Sequence, residues 1–90
     1  MRRLLFFHAH WCMPCKYIAR TLIDEIEKDC PEQVTRVDVD DDTDNWCKKL
    51  KVSRVPRVIL IEDNNVVGAY TGIYPPHGKI VEWLKGGELQ

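Results

Sequence analysis

Two cysteines three residues apart, Cys12 and Cys15, stand where a short apolar run gives way to an amphipathic repeat. Thiols at this spacing can close and reopen a disulfide, or take two positions around a zinc ion. The other two cysteines, Cys30 and Cys47, form no second metal knuckle. His8 and His10 lie close enough to the pair to be weighed as ligands, but the spacing argues for redox chemistry and for no metal. Cys15 continues an apolar stripe through Ile18, Leu22 and Ile26, with Ala19 and Ile23 beside it, so it is expected to face inward. Cys12 falls at the helix N-terminus, where unpaired N–H groups and the helix dipole favour negative charge. Its sulfur is expected at an exposed tip, with a pKa below the free-thiol value of ~8.5 and near ~7. Cys12 is therefore the attacking thiol and Cys15 the resolving one. The competing reading is two buried, inert cysteines. A helix that opens directly after a strand with Trp11-Cys12-Met13-Pro14-Cys15 argues against it.

The rest of the chain must position that tip. Its 90 residues carry 13 basic and 14 acidic side chains, a formal net charge of -1, and 44% are hydrophobic. These values fit one soluble domain over 1–90 and exclude a basic wrapper of nucleic acid. The apolar run Leu4-Leu5-Phe6-Phe7 is too short for a secretory leader, and nothing approaches a membrane span. A cytoplasmic location is expected, and structural disulfides are improbable in that setting.

Leu4–His8 reads as a buried strand and 12–29 as a helix, with Pro14 tolerated in its first turn. Val34–Val39 reads as a second strand. A short helix over Thr43–Lys51 is expected to bury Trp46, Cys47 and Leu50, with Asp41, Asp42, Thr43 and Asp44 supplying its cap and first-turn acids. Val58–Ile61 is a third, central strand with Pro56 just before it. A turn over Glu62–Asn65 leads to a fourth strand, Val66–Thr71. A last helix, 76–85, buries Ile80, Trp83 and Leu84 and ends at Gly86-Gly87. The order βαβαββα predicts an α/β fold with helices on both faces of one mixed sheet.

The segment Trp11-Cys12-Met13-Pro14-Cys15-Lys16 resembles the W-C-G-P-C-K motif of thioredoxins, with Met13 in place of glycine. Val55-Pro56 stands where that family has its cis-proline, and Gly72 matches the glycine after the last strand. The likeness runs from about Leu4 to Leu84. It implies a thioredoxin fold trimmed of its first strand and helix: a four-stranded mixed sheet of order 2-1-3-4 and three helices, with strands 3 and 4 both running against the first two. It further implies that Trp11 shields the disulfide and contacts substrate, and that Val55 offers backbone groups to an extended substrate segment. Pro56 would hold that loop; the residues alone allow an ordinary trans proline. Met13 is available for apolar contact with a partner.

The likeness has gaps. Phe6 occupies the place of the family's buried aspartate, and Arg36 that of its partner lysine. A different proton acceptor is then needed, or none; the candidates are His8 and His10, since histidine titrates near neutral pH, against the alternative of merely packed or solvated histidines. The alternating acids Asp38, Asp40, Asp42 and Asp44 lack the glycine and glutamate of a calcium loop and read as a strand end and helix cap. Arg54 and Arg57 flank the expected substrate loop and are suited to steering acidic partners. Cys30 and Cys47 read as packed free thiols.

These readings converge on a monomeric protein-disulfide reductase that uses Cys12 and Cys15 without a cofactor. The resemblance implies thioredoxin reductase as electron donor and protein disulfides as substrates. The alternative is a glutaredoxin-like enzyme recharged by glutathione. Met13-Pro14 and Tyr70-Thr71-Gly72-Ile73 depart from that family's motifs.

Overall fold

Two long apolar runs become the central strands because both of their faces are covered. In the computed structural model, which describes residues 1–89, strand β1 spans Arg2–His8 and β3 spans Arg57–Glu62. Each buries four consecutive residues, Leu4 to Phe7 and Val58 to Ile61. Continuous rather than alternating hydrophobicity is the pattern of a strand packed on both sides. Strands β2 (Val34–Asp38) and β4 (Asn65–Thr71) form the edges, giving the expected order β2-β1-β3-β4.

β1 pairs with β2 in parallel, β3 runs antiparallel to β1, and β4 antiparallel to β3. Only β3 therefore opposes the first strand. The expectation that β4 would also run against β1 and β2 is corrected, because a tight hairpin after β3 reverses the chain once more. That hairpin turns on Asp63 and Asn64, both at positive φ, as a two-residue loop requires.

The first helix runs without a break from 13 to 29: α-helical Met13–Ile18, a π-helical segment Ala19–Ile23, and α-helical Asp24–Asp29. We label it α1. The wider turn buries Leu22 and Ile23 together, so the inward stripe broadens at mid-helix. Helix α2 is Trp46–Lys49 and α3 is His77–Leu84. The order βαβαββα holds, with a short 3-10 turn, Pro31–Gln33, leading into β2.

α1 and α3 cover one face of the sheet, where Leu4, Phe6, Val58 and Leu60 meet Ile18, Ile23, Ile26, Ile80 and Trp83. The other face is made by Leu5, Phe7, Val37, Ile59 and Ile61. Trp46, Cys47 and Leu50 pack there but are half-buried, not buried as expected. The cause is length. Asn45 and Lys51 both take positive φ and confine α2 to about one turn. Asp42 caps that turn, accepting the N–H groups of Trp46 at 3.1 Å and Cys47 at 2.7 Å. α3 ends in paired bonds from Gly86 N–H to the Trp83 carbonyl and Gly87 N–H to the Glu82 carbonyl. Gly86 sits at φ 109°, which a side chain would strain.

Candidate redox site

The C-terminal ends of β1 and β2, the start of α1 and the loop before β3 meet at one end of the sheet. Cys12 is the N-cap of α1: its backbone is extended (φ -95°, ψ 103°) and its Sγ accepts the N–H of Cys15 at 3.2 Å. The Cys12 N–H donates back to the Ala9 carbonyl at 3.1 Å, fixing the turn out of β1. Pro14 lies in the first turn, where its missing N–H costs no helix bond. Cys12 and Cys15 are joined in a disulfide, with Cα atoms 5.2 Å apart.

Cys15 is 2% exposed, facing inward as its place on the stripe requires. Cys12 is only 5% exposed, which corrects the expectation of an exposed tip. In the oxidised pair its sulfur is drawn onto the first helical turn by the bond to Cys15 and by the Cys15 N–H. The neighbours carry the exposure instead: Trp11 is 61% and Met13 69% exposed, and Pro14 is also at the surface.

Trp11 is held by Asp40, whose carboxylate accepts the indole N–H at 2.8 Å. Beside it lies a groove of about 400 Å³ lined by Trp11, Val39, Cys47, Val52, Arg54 and Val55. The Val55–Pro56 peptide is cis and Pro56 is buried. Val55 packs against the core cluster that contains both cysteines. Arg54 faces the groove, whereas Arg57 turns away to donate to Thr71. The role of Asp40 was not legible in the sequence, where it read only as one of a run of acids. Its place just beyond a strand paired in parallel with β1 is the signal that marks it.

A second space, of about 200 Å³, adjoins Cys15 on the other side. Phe6, His8, His10, Lys16 and Arg36 line it with Cys15. His8 is half-buried and stacks on Phe6, ring centroids 5.3 Å apart; His10 is exposed on the turn. Burial lowers the His8 pKa below 6.5; Asp38, its neighbour across β2, opposes this and Arg36 adds to it. Arg36 is itself engaged: it forks onto Glu27 at 2.6 and 3.1 Å and reaches Asp24 at 2.6 Å. These bonds, with Glu27 first, hold its guanidinium firmly protonated.

Cys30 and Cys47 are free, Cys30 buried and Cys47 half-buried in the groove. Desolvation, and then the Asp42 carboxylate beside it, pushes the Cys47 thiol up to about 11. Cys47 is thus an un-ionised lining group. Among the described residues no cluster of three or more His, Cys, Asp or Glu is disposed to hold a metal ion, and no helix is long and apolar enough to cross a membrane.

The thioredoxin family model matches residues 2–86. The chain belongs to the thioredoxin family. It is 40% identical over 68 residues to the mitochondrial thioredoxin of Mus musculus, an alignment covering 74% of this chain and 40% of that protein. With the thioredoxin of Bacillus subtilis it shares 31% identity over 70 residues, 77% of this chain and 66% of that one. The X-ray structure of Fasciola hepatica thioredoxin superposes with a TM-score of 0.75 at 28% identity, over 93% of this chain and 78% of that one. The chain thus spans about 40% of the length of the mammalian mitochondrial proteins it matches.

Within the thioredoxin frame, the cis peptide before Pro56 and the disulfide at the start of α1 are where the motif resemblance put them. Gly72, at φ 96°, follows β4 and donates its N–H to the Pro56 carbonyl at 3.5 Å, so it braces the loop carrying the cis bond.

Proposed function

We propose that this chain is a thiol–disulfide oxidoreductase that reduces protein disulfides. The carrying observation is the Cys12–Cys15 disulfide at the tip of α1, with the Cys15 N–H on the Cys12 sulfur. That N–H and the start of the helix favour a thiolate on Cys12 once the pair is reduced. The Cys12 thiolate attacks one sulfur of a substrate disulfide, forming a mixed disulfide and releasing one substrate thiolate. Cys15, having lost its proton, attacks the Cys12 sulfur; the second substrate thiolate leaves and the Cys12–Cys15 bond reforms. Two electrons pass to the substrate, and the two protons of the dithiol end on its thiols.

The groove between Trp11 and Val55 is suited to an extended segment of the substrate protein. Trp11 and Val55 line it, Met13, Pro14 and Pro56 complete the proposed substrate-contact set around it, and Arg54 favours acidic segments approaching it. The family relationship supports thioredoxin reductase as the donor that returns the disulfide to dithiol, and the protein acts as a monomer. The free thiols of Cys30 and Cys47 support a reducing compartment, the cytoplasm. The chemistry calls on no cofactor beyond the cysteine pair.

The test is turnover of insulin with NADPH and thioredoxin reductase, set against glutathione and its reductase. Activity with the first pair is expected, and Cys12→Ser abolishes it. Cys15→Ser is expected to trap mixed disulfides with clients. Preference for glutathione would replace the reading with a glutaredoxin-like one. Inactivity with both, and no trapped adduct, would leave a binding module that keeps the fold.

A further inference from the structure

Resolution of the mixed disulfide requires Cys15 to lose a proton inside the protein, and the family's acid position is filled by Phe6, 1% exposed. We propose that His8 accepts the Cys15 proton across the 200 Å³ space they both line, and hands it to the departing substrate thiolate. The proposal rests on the dithiol reading above and adds to it the base that serves its second step.

Among the described residues no carboxylate lines this space. Asp24 and Glu27 are turned onto Arg36, and Asp38 accepts the Asp40 N–H at 2.9 Å. Lys16 from α1 and Arg36 from β2 line it as cations, and Cys15 as the thiol to be deprotonated. The two imidazoles are the bases left among the described lining residues. His10 sits exposed on the turn, while His8 is on the rigid strand, its ring fixed against Phe6. The lining is mostly apolar, but His8, His10, Lys16 and Arg36 bring polar groups to it, and at about 200 Å³ it is roomy enough for water to bridge sulfur and ring. Burial keeps His8 uncharged near pH 7, the form that can take a proton.

The transfer balances. The Cys15 thiol gives H⁺ to His8, and its thiolate forms the S–S bond to Cys12 as the Cys12–substrate bond breaks. The imidazolium then protonates the released thiolate and returns to its neutral form.

The experiment is stopped-flow reaction of the reduced protein with a chromogenic bis(nitrobenzoate) disulfide. The first coloured thiolate reports attack by Cys12 and the second reports resolution by Cys15. His8→Asn and His8→Gln are expected to keep the first phase and slow the second by about a hundredfold or more, the low end of what positioned proton transfer contributes. Wild-type second-phase rates should fall as pH drops below 6.5, and both variants should lose that limb. Added imidazole should restore the second phase of His8→Ala. An unchanged second phase and pH limb in both conservative variants overturns the proposal. So does slowing by His10→Ala instead, or a slowed His8→Ala that imidazole does not restore, which would assign the loss to packing. Absence of a first phase in the wild type would overturn the dithiol reading itself.

Discussion

Restoring the family's acid at position 6 is expected to damage this protein. Phe6 is 1% exposed, lies in the cluster beneath α1, and stacks on His8. Removing a buried phenylalanine side chain costs about 3–5 kcal/mol. A buried carboxyl without a partner adds about 1–3 kcal/mol. Arg36, in register with Phe6 on β2, cannot answer it without leaving Glu27 and Asp24. Phe6→Asp is therefore expected to lose about 4–8 kcal/mol, against about 5–13 kcal/mol for a domain of this length. Desolvation raises the introduced carboxyl's folded-state pKa above its unfolded one. The folded state then binds the proton more tightly, so the variant is least destabilised below the unfolded carboxylate range and loses stability as pH rises. Urea unfolding of wild type and variant at pH 5 and pH 8 measures both the loss and its sign. A loss under about 1 kcal/mol, or one that shrinks as pH rises, would refute the reasoning, because it would mean that Arg36 or water reaches the site.

Asp42→Ala removes the acceptor of two N–H groups at the start of α2 and should cost about 1–2 kcal/mol at pH 7. Slight burial pushes this carboxyl up, but hydrogen bonds from Cys47 and Trp46 outweigh it and hold it below 3.8. The stabilisation is present above that value and fades as pH falls below it, which urea titrations at pH 7 and pH 3 compare. Arg2 bonds Glu62 at 3.1 Å and the Trp83 carbonyl at 2.6 Å, and lies over the Trp83 ring. Arg2→Met should cost about 1.5–3 kcal/mol, the range for bonds to a charged group, read from the same titrations. Cys47, protonated up to about 11, should resist iodoacetamide at pH 8 in the reduced protein while Cys12 is alkylated, as peptide mapping would show. Its contribution to stability is full below 9.0 and is lost as pH rises towards 11.

The central strands were legible because Leu4 to Phe7 and Val58 to Ile61 are apolar without alternation, which only a doubly covered strand tolerates. α1 was legible from the spacing of Cys15, Ile18, Leu22 and Ile26, and α3 from Ile80, Trp83 and Leu84. The π-helical turn was not, because shifting one backbone bond leaves the apolar period nearly unchanged. α2 was overdrawn because the acids before it bond neighbouring backbone instead of extending the helix. The direction of β4 follows from two successive antiparallel pairings. Its outward residues gave no pattern that tied them to β1. At the site, the cysteines and their order along the helix were readable, since they obey the rules of a helix start. The hold of Asp40 on Trp11 was not, since it joins residues 29 apart across two elements.

The burial of Cys12 bears on how the site changes between its two redox states. The Cys15 N–H donates to the Cys12 sulfur while that sulfur is neutral and bonded. After reduction the same donor faces a thiolate, and a hydrogen bond to an ion is roughly twice as strong as one to a neutral group. A cap of this kind is expected to strengthen on reduction and so to favour the nucleophile. The cost of a buried sulfur falls instead on Cys15, which has no free helix N–H of its own to meet. That asymmetry underlies the proposed order, with Cys12 as the attacking thiol and Cys15 served by a base from the side of the sheet where His8 and Cys15 share a space.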